Sequence, residues 1–204
     1  MLSVVIPSRH EPASNIFDTA RGLRDAVPDV RIVAVNDDGE PHGFGLAVRR
    51  GLDRCADGYV VICMADGSDD PAVLGDMIKE LSYGYDMVVG SRYMKGGKQI
   101  GGPLVKRILS HWCGRILYEF GLPVHDATNA YRMIRASRLK ELNLESTGFD
   151  LNLEITAKAY RAGWRICEVP VTWRDRRGGR SKFKLWKELP SYGYWFMYAL
   201  GWVG

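Results

Sequence analysis

Four short, mostly apolar runs each break off into a cluster of charged and polar side chains, and this repetition constrains the fold most. The runs are Leu2 to Ile6, Val30 to Val35, Tyr59 to Met64 and Tyr85 to Val89. The clusters that follow them are Ser8 to Glu11, Asn36 to Asp38, Asp66 to Asp70 and Ser91-Arg92. Helical patterns lie between. Ser14 or Asn15 caps one that runs to about Ala26 with Ile16, Ala20, Leu23 and Val27 on one face. A second runs from Gly43 to Leu52, a third from about Pro71 to Leu81, and a fourth from Leu104 to Tyr118. Strands that alternate with helices predict an α/β fold with a mostly parallel, Rossmann-like sheet. The unbroken apolar run Tyr59 to Met64 agrees, because such a sheet is covered on both faces. Ligands of this architecture bind beyond the C-terminal strand ends. All four polar clusters belong there, too regularly to be solvent decoration.

Composition bounds the rest. A chain of 204 residues makes one full-sized domain, or one with a short appendage. Its 46% hydrophobic and 25% charged residues exclude disorder. A net charge of +4 suits anionic ligands without calling for nucleic acid. Cys55, Cys63, Cys113 and Cys167 show no CxxC spacing, so they read as buried thiols in a reducing compartment. His10, His42, His111 and His125 share no metal-ligand spacing. There is no signal-peptide pattern and no apolar stretch of the roughly 18 to 20 residues that spans a bilayer. Neither a Gly-x-Ser-x-Gly turn nor a P-loop is present, which removes serine-hydrolase and P-loop NTPase chemistry.

The clusters carry chemistry with alternatives. Ala65-Asp66-Gly67-Ser68-Asp69-Asp70 places carboxylates directly after a buried strand. Such groups hold Mg²⁺ or Mn²⁺ against a diphosphate, and they also cap helices, a role that suits Asp70 before Pro71. Arg92 at a strand end holds phosphate or forms a surface ion pair. Lys106 and Arg107 extend that cationic path or form a solvated helix face. Asp126, in Asp126-Ala127-Thr128-Asn129-Ala130-Tyr131-Arg132, caps a turn by default. Asp150 and Glu154 share one helix face.

Taken together and in this order, the segments resemble glycosyltransferase family 2, in its dolichol-phosphate (polyprenyl-phosphate) mannose synthase branch. Val4 to Glu11 is similar to the family's opening strand and its Pro-Thr-Tyr-Asn-Glu turn. Asn36-Asp37-Asp38-Gly39 is similar to its nucleotide turn, and Met64-Ala65-Asp66 stands where its Asp-x-Asp motif belongs. Gly90 to Gly97, Asp126 to Arg132, Glu168 to Val171 and Arg176 to Lys182 resemble segments of the branch. The resemblance implies a GT-A fold, a nucleoside-diphosphate sugar donor, a polyprenyl or dolichyl phosphate acceptor and inversion at the anomeric carbon. Mannose from GDP-mannose is the first expectation and glucose from UDP-glucose the second.

By position, the resemblance puts Pro7, Ser8, Glu11, Asp37, Asp38 and Ala65 at the nucleotide sugar. It puts Asp66, with Ser68, at a Mg²⁺ or Mn²⁺ ion and the diphosphate. Arg92, Arg107, Arg176, Ser181 and Lys182 fall at the acceptor phosphate. Asp66, Arg92, Asp126, Arg132 and Glu154 make up the expected catalytic set. Three departures stand out. Met64 replaces the first Asp, so metal binding is expected to be weaker or to be compensated by Asp69. Arg9-His10 replaces Tyr-Asn in the turn after the opening strand. Asp38 is followed almost at once by Gly43-Phe44-Gly45-Leu46-Ala47, where the family usually has a further helix and strand.

The C-terminus carries Arg174, Arg176, Arg177, Arg180, Lys182, Lys184 and Lys187, and then Tyr192, Tyr194, Trp195, Phe196, Tyr198 and Trp202. Cations beside aromatics favour a membrane surface. The expected division is therefore a glycosyltransferase domain over 1–188 and a membrane-interface segment over 189–204, peripheral on the cytoplasmic face. A final helix packed on the sheet is compatible with this. Two other classes stand beside this reading. One is a sugar nucleotidyltransferase, which usually opens on a Gly-rich loop that Pro7 to Glu11 lacks. The other is a non-catalytic nucleotide-sugar or lipid-phosphate binding module.

Overall fold

The computed structural model describes residues 1–55, 57–175 and 185–203. In chain order the elements are β1 (Leu2–Ser8), α1 (Ala13–Ala26), β2 (Arg31–Asn36), α2 (Phe44–Leu52) and β3 (Tyr59–Ile62). Then come α3 (Leu74–Ser82), β4 (Met87–Ser91), β5 (Lys98–Ile100), α4 (Leu104–Glu119) and β6 (Arg132–Arg135). The chain closes with α5 (Ala136–Leu139), α6 (Leu151–Arg161), β7 (Ile166–Pro170), β8 (Thr172–Arg174) and α7 (Leu185–Ala199).

Six strands form the main sheet in the order β2-β1-β3-β6-β4-β7. The strands expected from the apolar runs are parallel, as predicted. β6 is the exception, antiparallel to both β3 and β4 between which it lies. Its sequence, Arg-Met-Ile-Arg, is short and charged at both ends, so no apolar run announces it. The fourth run is shifted: its strand begins at Met87 and extends to Ser91. β5 and β8 form a separate two-stranded ribbon.

β1 is buried along its whole length because both faces of the sheet are covered. Leu2, Val4 and Ile6 pack with Leu23 of α1 and with Leu74, Met77 and Leu81 of α3. Val5 points the other way, with Val33, Val60 and Ile62, onto Val48 and Leu52 of α2 and onto α6. α7 closes that second layer with Trp195 and Ala199, and it packs on both α6 and α4. The expected boundary between 188 and 189 thus falls inside one continuous helix whose aromatic Trp195 is core.

Candidate active site

The polar clusters come together at one edge of the sheet, as strand ends in this topology must. They border a cavity of about 650 Å³ walled by Pro7 to Arg9 and Glu11 after β1, by Asp37 after β2, and by Met64 to Asp66 after β3. The start of α2, the loop 145–150 and the first half of α7 complete it. A second cavity, of about 440 Å³, lies between α4 and α7. Arg92, Lys106, Arg107 and Ser68 line it beside apolar walls from Leu109, Trp173, Leu189 and Phe196. Met64, Asp66 and Phe149 belong to both cavities, so the two meet at the end of β3.

The two aspartates after β2 diverge. Asp37 is buried and lines the first cavity. Its carboxylate accepts from the Gly43 N–H at 2.6 Å and from Arg50 at 3.4 Å, and its own N–H donates to the Ser8 carbonyl at 2.8 Å. Asp38 is exposed and is not among the walls. It accepts from the His10 N–H at 2.8 Å and faces the His10 Nδ1 at 2.9 Å. One carboxylate thus closes the shortened connection to α2 while the other pins the turn after β1. Arg9 lines the same cavity, and its buried Nε has no hydrogen-bond partner.

After β3, Asp66 accepts from the Ser68 N–H at 3.2 Å and stands at the junction. Asp69 folds inward and accepts from the Met64 N–H at 2.8 Å. Burial is the main cause that pushes its carboxyl up to about 7, and nearby Asp66 adds to it. Asp70 accepts from the Ala72 N–H at 3.0 Å, the capping role its place before Pro71 suggests.

Arg92 and Asp126 form a bidentate pair, Nε to Oδ2 at 2.7 Å and Nη2 to Oδ1 at 2.8 Å. Nη2 also donates to Ser110 of α4 at 3.0 Å. Burial works against the guanidinium charge, yet the Asp126 carboxylate holds its pKa above the usual arginine value. Arg92 reaches the second cavity, as does Arg107. Asp126 is wholly buried and lines neither cavity; its carboxylate holds Arg92 in place.

Two more expected catalytic residues, Arg132 and Glu154, lie outside both cavity walls. Arg132 is fully buried, and its donors go to the carbonyls of Ala127, Asn129 and Asn152 and to the Thr156 hydroxyl. At the start of the interior strand β6 it lines neither cavity, and burial lowers its pKa to about 10. Glu154, also fully buried, accepts from the N–H groups of Glu145 and Ser146 at 2.7 and 2.8 Å and pairs with Lys158 at 2.8 Å. It shapes the loop that walls the first cavity from behind. Arg176, Ser181 and Lys182 lie outside the described residues.

The part that this loop and α7 play in walling the first cavity is what sequence reading missed. Phe149 stacks on Phe44 with ring centroids 4.6 Å apart, Glu188 accepts from the Phe149 N–H at 3.2 Å, and Trp195 donates to Ser146 at 2.8 Å. These partners lie from about forty to about a hundred residues apart in the chain, and no local pattern links them. Among the described residues, no group of three or more His, Cys, Asp or Glu side chains is placed to hold a metal ion alone. No helix among them is long and apolar enough to cross a membrane.

Comparison with known proteins gives a consistent answer. Residues 38–142 match the family described as glycosyl transferase family 2. The undecaprenyl-phosphate mannosyltransferase of Micrococcus luteus is 32% identical, over 87% of this chain and 85% of its own length. The aligned length of 214 positions exceeds the 204 residues of this chain, so that relative carries inserted residues. The polyprenol monophosphomannose synthase of Mycolicibacterium smegmatis is 31% identical over 69% of this chain, which spans about half of that longer protein (52%). In structure, the glucosyl-3-phosphoglycerate synthase of Mycobacterium tuberculosis, in complex with Mn²⁺, UDP-glucose and phosphoglyceric acid, superposes with a TM-score of 0.74. The superposition covers 100% of this chain and 80% of that one at 17% identity, which speaks to the fold alone. The family match and the Micrococcus relative place the chain in glycosyl transferase family 2, as a glycosyltransferase of GT-A fold.

Proposed function

We propose that the chain transfers a hexose from a nucleoside-diphosphate sugar to a polyprenyl or dolichyl phosphate, at the cytoplasmic face of a membrane. The observation that carries this is the meeting of two unlike cavities at Asp66. The first, bordered by Pro7, Ser8, Glu11, Asp37 and Ala65, suits a nucleoside and its diphosphate. The second pairs cationic side chains with a long apolar wall, the two properties of a lipid phosphate. The named relatives support the acceptor class, and their mannosyl specificity makes GDP-mannose the first donor and UDP-glucose the second.

In the transfer, an oxygen of the acceptor phosphate forms the new bond to the anomeric carbon. The bond from that carbon to the donor diphosphate breaks, and the nucleoside diphosphate leaves with the electron pair. Attack from the face opposite the leaving group inverts the centre. The nucleophile is already an anion, so no proton need be removed, and the protein supplies position and charge compensation. Arg107, and Arg92 held by Asp126, face the acceptor phosphate. Arg176, Ser181 and Lys182 are assigned to the same phosphate by sequence alone.

A divalent ion fits this site in a restricted way. The thioether of Met64 is a poor ligand, and Asp69 is turned inward to the Met64 N–H, which leaves Asp66, with the Ser68 turn behind it, as the protein carboxylate at the junction. One carboxylate with diphosphate oxygens and water is an ordinary Mg²⁺ environment. When bound, Mg²⁺ or Mn²⁺ would neutralise charge on the departing diphosphate.

Transfer of radiolabelled sugar from GDP-mannose and UDP-glucose to a short polyprenyl phosphate, with and without Mn²⁺, tests the proposal. Lipid-linked product that depends on metal and falls about 100-fold in Asp66→Ala is the expected result. Inorganic pyrophosphate as product would indicate a nucleotidyltransferase, and no product with either donor from folded protein would indicate a binding module.

A further inference from the structure

Arginines close to the cavities are mostly engaged by protein groups. Arg49 donates to the Glu145 carbonyl at 2.9 Å, Arg50 to Asp37 at 3.4 Å and Arg92 to Asp126 at 2.7 Å. Arg9 differs. It is half-buried in the wall of the first cavity, and its buried Nε has no hydrogen-bond partner. Among the described residues no hydrogen bond or ion pair engages its guanidinium. A buried donor left unpaired is costly, and a ligand that pairs with it removes that cost.

The backbone holds this side chain in one place. β1 lies between β2 and β3 in the sheet, so the turn after it stands between Asp37 and Asp66. On one side of Arg9, the Ser8 carbonyl accepts from the Asp37 N–H at 2.8 Å. On the other, the His10 N–H donates to Asp38 at 2.8 Å. A nucleotide that reaches from Asp37 to Asp66 passes Arg9 on the way. Charge says which part of it Arg9 meets. Among the described residues, the walls of this cavity carry six carboxylates, and Arg9 and Lys187 are their lysine and arginine side chains. Lys187 belongs to α7, which leaves Arg9 as the cation at the strand ends. An anionic diphosphate in such surroundings needs charge compensation. The metal motif supplies less of it than usual, because Met64 stands for the first Asp and Asp69 is turned to the Met64 N–H.

We infer that Arg9 binds the diphosphate of the donor and takes on part of the charge compensation that a fuller set of metal-binding carboxylates would supply. Its planar fork donates to two phosphate oxygens at once, and it stays charged while the diphosphate departs. The departures from the family pattern at positions 9 and 64 then offset each other: an anion that holds a metal is lost, and a cation is gained. The inference rests on the nucleotide reading of the first cavity.

Calorimetric titration of the purified chain with GDP and with UDP, in EDTA and again with Mn²⁺, is the test, with the parent nucleosides measured by competition. In EDTA, Arg9→Gln should lower the affinity for each diphosphate that wild type binds by about tenfold or more. Affinity for the nucleoside should stay within about twofold, which also shows that the variant is folded. Arg9→Lys keeps the charge without the fork and should lie closer to wild type than Arg9→Gln does. Diphosphate affinity within about twofold of wild type in Arg9→Gln overturns the inference. Equal losses for diphosphate and nucleoside do the same, because Arg9 then meets the base or merely holds the turn. Equal weakness of Arg9→Lys and Arg9→Gln also counts against it, since charge is then not what Arg9 supplies. So does wild-type binding that appears only with Mn²⁺. In all these results a nucleotide still binds and the donor reading stands. A wild type that binds neither diphosphate in either buffer removes that reading, and the inference with it.

Discussion

The buried ionisable side chains divide by what their hydrogen bonds serve. Arg92 and Asp126 satisfy each other next to a cavity, whereas Arg132 and Glu154 satisfy backbone groups away from it. A motif shows that a residue type recurs at a position but not which way it points, so Arg132 reads in sequence as a member of the catalytic set. In the structure it gathers the carbonyls of Ala127, Asn129 and Asn152, and its guanidinium is the internal splint of the 126–132 turn. Arg132→Leu removes the donors and leaves those acceptors buried. A loss of about 3 kcal/mol in urea unfolding is expected. At a temperature where the variant is still folded, calorimetric affinity for a nucleoside diphosphate should stay within about twofold. A tenfold drop there would return Arg132 to the binding site.

At the scale of elements, β1, β2, β3 and the four long helical patterns were legible because each carries its own apolar period. β6 was not, because it is a four-residue interior strand with arginines at both ends, made regular by β3 and β4 on either side. The first cavity was half legible for the same reason. Its strand-end walls are local sequence features, but its far wall is the 145–150 loop, positioned by Glu154 behind and by Trp195 from α7. The loop is locked to α2 at a close approach. The Gly45 N–H donates to the Thr147 carbonyl at 2.8 Å, and a Cβ on Gly45 would lie 2.6 Å from the Ser146 carbonyl. Gly45→Ala must therefore push the helix and loop apart. It should cost about 1–3 kcal/mol in thermal unfolding. It should also weaken nucleoside-diphosphate binding roughly tenfold, the equivalent of about 1.4 kcal/mol. Gly75→Ala, in α3 with nothing near its added Cβ, should instead be neutral or stabilise by up to about 1 kcal/mol.

The whole molecule is one sheet with a thin layer of α1 and α3 on one side and a thick layer of α2, α4, α6 and α7 on the other. The thick layer encloses both cavities, and it was the part least readable in advance because its contacts join residues 44, 149 and 195. A buried carboxylate whose charge state bears on global stability sits where β3 enters this arrangement. Asp69 is raised from 3.8 to about 7, chiefly by burial. In the unfolded chain it ionises near the ordinary value, about 4. Between roughly pH 4 and pH 7 the unfolded state has therefore lost a proton that the folded state keeps. Stability from this group falls as pH rises through that window, and the penalty is complete above about pH 7. Asp69→Asn keeps an oxygen to accept from the Met64 N–H but cannot ionise. With EDTA present, wild type should lose on the order of a few kcal/mol more than Asp69→Asn between pH 5 and pH 8, measured by urea unfolding at each pH. Parallel pH profiles for the two proteins would mean that Asp69 is ionised in the fold at pH 5. Its bond to Met64 would then outweigh the cost of burying the charge.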